Sequence, residues 1–225
     1  MTSYVGPLAQ ESTPSIIADK LRRAIGYGEL KPGTQLGEAD LARRFGVSRG
    51  PLREGMQRLT QEGLLVAIRN RGLFVRDMTP DDVRDMYLAR QTIERAAAAK
   101  VLEGDHVAAG DALLLIVDQM AAAATPAEVS ELDISFHERL VQLACSPRLS
   151  RMHQTFITET RMCIHALDET YAKSEVREEE HRDLANAIRS GDRGLTDRLL
   201  IAHMDDAIHR LCYEAIIDRV EPVGG

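Results

Sequence analysis

Four side chains in the second half of the sequence have the chemistry to bind a divalent metal ion. Asp133 and His137 are one helical turn apart, so on a helix both side chains reach the same place. His181 and His203 belong to two later helical segments and lie among apolar residues, which predicts that both face the core. A carboxylate that faces a core needs a partner, and imidazole and carboxylate donors suit several first-row ions. The pattern is that of a plausible metal site with open positions for water or a ligand.

Each of these residues also has a simpler interpretation. Asp133 and His137 could form a helix-stabilising pair, and a lone inward histidine is usually a core residue bonded to a backbone carbonyl. For any single histidine the simpler interpretation is favoured, and the joint occurrence of all four residues makes a metal site an equal alternative. The remaining histidines show no comparable pairing in the sequence; they are His106, His153, His165 and His209.

A second group of side chains has the chemistry to bind DNA. Arg49 and Arg53 would face outward from a short helix, and Arg69 and Arg71 lie in a predicted turn. Arginine on such a helix can donate two hydrogen bonds to guanine in the major groove, and a basic turn can reach the backbone or the minor groove. Any one of these arginines could instead be solvated, and Arg53 could pair with a carboxylate. Their joint arrangement favours DNA binding.

The elements that would position these arginines can be predicted from helix caps and breakers. The first helix begins at Thr13, the second ends at Gly46, and the third extends from a Ser48 cap to Gly63. Two apolar runs that flank the turn 69–72 predict a β-hairpin. Three short helices followed by a hairpin with a basic tip predict a winged helix-turn-helix.

The metal-type ligands lie in a region that is predicted to be helical throughout. Breaker residues divide residues 80–220 into about six helices, and no segment has a convincing strand pattern. The predicted fold class is therefore mainly α, with a winged helix-turn-helix of three helices and a β-hairpin joined to an all-α helical bundle. The predicted division is an arm over residues 1–12, a DNA-binding domain over 13–76, a linker over 77–79, a helical domain over 80–220 and a tail over 221–225.

Charge and composition agree with this division. Residues 1–76 hold 12 lysines and arginines against 7 acidic residues, whereas residues 77–225 hold 16 against 28. A small basic module on an acidic body suits a protein in which only the module approaches phosphate. The composition excludes disordered, collagen-like and membrane-bundle classes, and no secretory signal or membrane span is expected, so the predicted location is the cytoplasm. Three widely spaced cysteines predict neither a disulfide framework nor a thiolate zinc site.

The N-terminal residues resemble the GntR family of bacterial transcription regulators. The resemblance spans roughly residues 15–76 and includes PG at 32–33, GVSRGPLRE at 46–54 and EGLL at 62–65. It implies that Ser48, Arg49 and Arg53 contact the operator and that Gly72 is the wing glycine. Gly50 stands where the family usually has threonine, and Ala39 stands where many members have arginine. These two departures bear on the operator sequence and leave the binding mode intact.

The C-terminal residues resemble the FCD ligand-sensing domain of the FadR subfamily. The resemblance covers roughly residues 80–220 and includes DISFH at 133–137, EEH at 179–181 and the histidine at 203. Six helices rather than seven would make the domain similar to the VanR branch. The resemblance implies that Asp133, His137, His181 and His203 hold zinc, nickel or a similar divalent ion, which helps to bind a carboxylate effector.

Two arginines are candidate partners for the effector carboxylate. Arg90 and Arg161 could each grip a carboxylate with two hydrogen bonds, or could instead form structural pairs with Glu94 and Glu159. The predicted function is a transcription repressor that binds a palindromic operator as a homodimer and responds to a small organic acid. The alternative is a metal-dependent hydrolase or other metalloenzyme, because an aspartate and three histidines with an open position could activate water. That alternative leaves the winged module unexplained.

Overall fold

A computed structural model describes residues 12–167 and 174–214 of the chain. The predicted arm, apart from Ser12, and the predicted tail lie outside this range. The chain divides into two compact units, with the boundary between Asp77 and Met78. Within the described ranges, no helix has the length and apolar character required to cross a membrane.

The N-terminal unit consists of three helices and a three-stranded antiparallel sheet. The sheet has the order β1-β3-β2, so the predicted hairpin is joined by a two-residue strand that the sequence analysis did not predict. Such a short strand is too brief to show an alternating pattern. Leu21, Leu52 and Leu59 are among the buried residues of this unit. Its elements are α1 (Thr13–Gly26), β1 (Gln35–Leu36), α2 (Glu38–Phe45), α3 (Arg49–Gln61), β2 (Leu65–Ile68) and β3 (Gly72–Val75).

The caps of these helices differ from the sequence expectation in two details. Ser12, not Thr13, caps α1, and its hydroxyl accepts a hydrogen bond from the Ser15 backbone N–H at 3.4 Å. Ser48 precedes α3 as predicted, but its side chain makes no capping hydrogen bond. The Ser48 hydroxyl is therefore not committed to the helix that it precedes.

The C-terminal unit is helical in its described residues and contains seven α-helices rather than about six. The additional break separates α7 from α8, where the backbone N–H groups of Thr155 and Phe156 bond to carbonyls three residues earlier. No proline or glycine marks this break, so breaker residues do not predict it. The similarity to the VanR branch depended on a count of six helices, so the seven helices remove the basis for it. The helices are α4 (Pro80–Val101), α5 (His106–Ala122), α6 (Pro126–Leu143), α7 (Pro147–Gln154), α8 (Ile157–Leu167), α9 (Ser174–Ser190) and α10 (Arg193–His209), followed by a π-helical segment (Arg210–Glu214).

The main core of this unit lies between α4, α5, α6 and α9, and Leu200 of α10 packs into it. Capping boxes at Thr79 and Thr125 fix the first turns of α4 and α6. Apolar side chains such as Leu113, Phe136 and Leu184 are almost completely buried between the helices. This packing holds the helices that bear the proposed metal ligands.

Candidate functional site

Three histidines from three helices converge inside the C-terminal unit. His137 on α6, His181 on α9 and His203 on α10 each offer one nitrogen, and these atoms all lie within 4.8 Å of one another. The Nε2 atoms of His137 and His203 are 3.1 Å apart. His137 and His181 are buried, and His203 is half-buried. The cluster therefore lies at the edge of the core, with one ligand near the solvent.

Asp133 joins this cluster from one turn before His137. Its Oδ1 atom lies 3.6 Å from Nε2 of His137, and its Oδ2 atom lies 3.7 Å from Nε2 of His181. Within the described residues, Oδ1 of Asp133 and Nε2 of His181 are buried and have no hydrogen-bond partner. Buried polar atoms without partners are costly, and these two atoms form a donor set that a divalent cation would satisfy, while Nε of Arg177 lies 3.7 Å from Oδ2 of Asp133. The structure thus brings together all four residues that the sequence singled out.

The outer nitrogen of each histidine is held by an oxygen. Nδ1 of His137 lies 2.5 Å from Glu94, Nδ1 of His181 lies 2.7 Å from the backbone carbonyl of Arg177, and Nδ1 of His203 lies 3.1 Å from Glu180. Carbonyl and ionised carboxylate oxygens only accept hydrogen bonds, so these partners assign the proton to Nδ1. Each Nε2 then presents a lone pair to the centre, as in metal sites whose histidines are oriented by outer partners.

The protonation states of the buried groups also suit a cation. Burial lowers the pKa of His181 to about 3 and also lowers the pKa of His137, so both rings are neutral at pH 7. Burial alone would raise the pKa of Asp133, but His181, Arg177 and the other histidines hold it at about 2. Metal ligands must be deprotonated in this way. The donor set fits the zinc, nickel or similar ion that the family resemblance implies.

The same shifts predict that acid destabilises the metal-free protein. Because the folded pKa of His181 is below its ordinary value of 6.5, the unfolded chain binds more protons as the pH falls below that value. We expect urea denaturation to show a loss of about 2–3 kcal/mol from this histidine between about pH 6.5 and 4.5. The decline should be shallower in the His181→Gln variant. A free energy of unfolding that is constant over this pH window would contradict the expectation.

A buried carboxylate beside the site is not evident from the sequence. The sequence pairs Glu94 only with Arg90, whereas the Glu94 carboxylate also contacts His137 and His153. Burial alone would raise the pKa of Glu94, but His137, Arg90 and the hydrogen bonds from His137 and His153 hold it well below its usual range. His153 has no pairing partner nearby in the sequence, yet its Nε2 atom lies 3.3 Å from Glu94. No local pattern could reveal this contact, since 59 residues separate the two positions.

The two candidate effector arginines have different surroundings. Arg90 is 1% exposed, donates from Nε to Glu94 at 3.1 Å, and lies 5.1 Å from the centre of the Tyr87 ring. Its Nη2 atom is buried and has no hydrogen-bond partner among the described residues. Arg161 is half-buried and donates from Nε and Nη2 to Glu131 at 3.0 and 2.9 Å. Arg90 therefore retains a donor for an additional group, whereas the guanidinium of Arg161 already holds a carboxylate.

The predicted DNA contacts lie on the surface of the N-terminal unit. Arg53 donates to Glu38 at 2.8 Å, which is the carboxylate pairing that the sequence left open. Arg71 lies over the Phe74 ring at 5.5 Å, and Gly72 has a φ of 105°, which favours glycine at the end of the turn. All six predicted contacts are exposed; they are Ser48, Arg49, Arg53, Arg69, Arg71 and Gly72.

Comparison with known proteins identifies both units. Residues 15–75 match the model for bacterial regulatory proteins of the gntR family, and residues 85–206 match the model for the FCD domain. The HTH-type transcriptional regulator YdhC of Bacillus subtilis is 26% identical over 83% of this chain and 85% of its own. The HTH-type transcriptional repressor RspR of Escherichia coli K12 is 28% identical over 83% of each chain. A transcriptional regulator GntR from Rhodococcus sp. RHA1 has a crystal structure that matches with a TM-score of 0.76 and 27% identity, covering 89% of this chain and 98% of the other.

Proposed function

Because this chain belongs to the gntR family of bacterial regulatory proteins with an FCD domain, and is a transcriptional regulator rather than an enzyme, we propose that it is a repressor controlled by a small carboxylate. Family membership removes the metalloenzyme alternative. The repressor binds a palindromic operator as a homodimer in the cytoplasm, and its FCD domain holds a divalent ion and the effector. The observation that carries the sensing part of the proposal is the convergence of Asp133, His137, His181 and His203.

The N-terminal unit supplies the DNA contacts in this proposal. Helix α3 begins at Arg49, directly after Ser48, whose hydroxyl is free of a capping bond and so can reach a phosphate. Glu38 holds the Arg53 guanidinium on the exposed side of the same helix. Arg69 and Arg71 lie in the turn of the hairpin, where a wing contacts the backbone or the minor groove. A homodimer presents two such units, and its two-fold symmetry matches a palindrome.

The C-terminal unit supplies the sensing site. The four converging residues would hold zinc, nickel or a similar ion, which when bound supplies a positive charge for a carboxylate. Glu94, Glu180 and the Arg177 carbonyl orient the histidine rings so that Nε2 faces the ion. The buried Nη2 of Arg90 is a donor for the effector. Arg161 is the weaker of the two proposed effector contacts because Glu131 already occupies its guanidinium.

Effector control follows from differential binding. A ligand changes operator affinity only if it binds two arrangements of the dimer with different strengths. We propose that the effector favours the arrangement in which the two recognition helices no longer match the operator. Repression is then relieved when the small acid accumulates.

The operator proposal can be tested by selecting genomic fragments with the purified, metal-replete protein. At near-physiological salt, non-specific phosphate binding is suppressed, and we expect enrichment of a palindrome. The neighbouring genes then suggest organic acids that can be tested for release of the protein from this fragment. Failure to enrich any sequence, with or without metal and across salt concentrations, would overturn the operator proposal.

Replacement of Arg49 should weaken binding to the selected operator. We expect Arg49→Ala to raise the Kd about 10- to 100-fold, as is typical for loss of a well-placed arginine contact. The matched control is Arg58→Ala, which removes the same charge from the same helix. Arg58 is also exposed, but it lies nine residues further along, about half a turn around the helix axis. Titration of labelled operator measures both variants, and equal losses would show that Arg49 acts only through net charge.

A further inference from the structure

Glu94 is a fully buried carboxylate that connects three helices of the C-terminal unit. It lies on α4 and is 0% exposed. Its Oε2 atom lies 2.5 Å from Nδ1 of His137 on α6. Its Oε1 atom accepts from Nε of Arg90 at 3.1 Å and contacts Nε2 of His153 on α7 at 3.3 Å. The two oxygens therefore have different partners, and only Oε2 faces a proposed metal ligand.

The other carboxylate beside the site, Glu180, has a simpler environment. Its side chain is 29% exposed, and it contacts Nδ1 of His203 at 3.1 Å. Among the described residues, no second cation or histidine is bonded to the Glu180 carboxylate. Glu180 can rotate about its side-chain bonds, whereas Arg90 and His153 hold Glu94 in place.

We propose that Glu94 is the positioning residue of the metal centre, which fixes the ring and tautomer of His137 so that Nε2 is available to the ion. The inference rests on the proposed metal site and assigns a residue outside the four ligands. An acceptor at Oε2 requires a proton on Nδ1 of His137 and so leaves the lone pair on Nε2. The partners at Oε1 make this arrangement rigid, because they require an acceptor on that side as well.

Substitution of Glu94 by glutamine tests whether the contacts of its two oxygens fix the tautomer of His137. The amide of Glu94→Gln has only one oxygen, and the Arg90 guanidinium has no lone pair and must face it. The NH₂ group then faces Nδ1 of His137 and donates to it, so the proton of His137 moves to Nε2, where a metal ion must displace it before it can bind. In Glu180→Gln, the freely turning amide can offer its oxygen to His203, and the tautomer is retained.

The experiment is a Co²⁺ titration of the full-length metal-free protein, followed by absorption. We expect Glu94→Gln to weaken Co²⁺ binding about 10- to 100-fold, the range for loss of a partner that orients a ligand. Glu180→Gln should change the affinity less than about threefold. Ring ¹⁵N spectra of the metal-free proteins should show His137 protonated on Nδ1 in the wild type and on Nε2 in Glu94→Gln, which a purely structural role would not produce.

The outcomes separate this inference from the proposed function. If the wild type fails to bind Co²⁺, Zn²⁺ or Ni²⁺, the proposed metal site is wrong. If the wild type binds Co²⁺ and Glu94→Gln binds it equally well, or keeps the wild-type tautomer, only the role of Glu94 is overturned. If Glu94→Gln does not fold, the spectrum of the wild type decides, since a proton on Nε2 of His137 would overturn the inference and a proton on Nδ1 would support it.

Discussion

Replacing His203 with alanine is expected to lower the affinity for Zn²⁺ or Ni²⁺ about a hundredfold. Binding energies of about 10–16 kcal/mol for four-ligand structural zinc sites correspond to about 3 kcal/mol or more for each ligand. His203 is the ligand best suited to this test because it is half-buried, whereas His137 and His181 lie inside the core. Removal of its ring opens the site to solvent instead of leaving a sealed cavity.

The measurement is metal content after dialysis, together with calorimetric titration of the metal-free protein. His209→Ala is the matched control, since His209 lies on the same helix and is exposed. We expect the control to bind metal like the wild type. In His203→Ala, operator binding without effector should persist, and the response to effector should weaken. Unchanged metal content in His203→Ala would contradict the proposed ligand set.

The proposed ligands could be predicted because their signals are local. Asp133 and His137 share one helix face, and the apolar neighbours of His181 and His203 indicate inward positions. Glu94 could not be assigned in the same way, since it meets His137 across 43 residues of sequence. That meeting depends on how α4 packs against α6, which helical periodicity does not specify.

The elements of the N-terminal unit were more predictable than those of the C-terminal unit, because their ends are marked by local residues. Glycines and caps mark the ends of its helices, and the hairpin strands flank a short turn. The break between α7 and α8 has no such marker, which is why the predicted number of helices was one too low.

The glycine at position 50, where the family usually has threonine, has no structural cause, because a Cβ at this position would meet nothing within 4 Å. A larger residue fits there, so packing does not explain the glycine.

Among the glycines in the described part of the chain, Gly110 is the one where an added methyl group should cost most, because α5 packs closely against α9 there. A Cβ at Gly110 would lie 2.3 Å from Cβ and 2.6 Å from Cα of Arg189, so the backbone of one helix would have to move. Overpacking of this kind costs about 1–3 kcal/mol or more, which exceeds the gain of about 1 kcal/mol in helix propensity from glycine to alanine. Because the clash is with backbone, the cost should lie at the upper end of this range, and we expect Gly110→Ala to lower the free energy of unfolding by about 1–2 kcal/mol in urea denaturation followed by circular dichroism.

The helix movement that Gly110→Ala requires should also shift a proposed metal ligand, so this substitution should affect metal binding. His181 lies on α9 about two turns before Arg189, so a shift of α9 moves its Nε2 atom relative to His137 on α6. We therefore expect Gly110→Ala to bind Zn²⁺ more weakly, even under conditions in which it remains folded. Gly104→Ala is the control, because a Cβ there would lie 3.6 Å from the Val101 carbonyl oxygen, an ordinary contact. A Gly110→Ala protein with wild-type stability and metal affinity would show that α5 and α9 are not packed as closely as the structure describes.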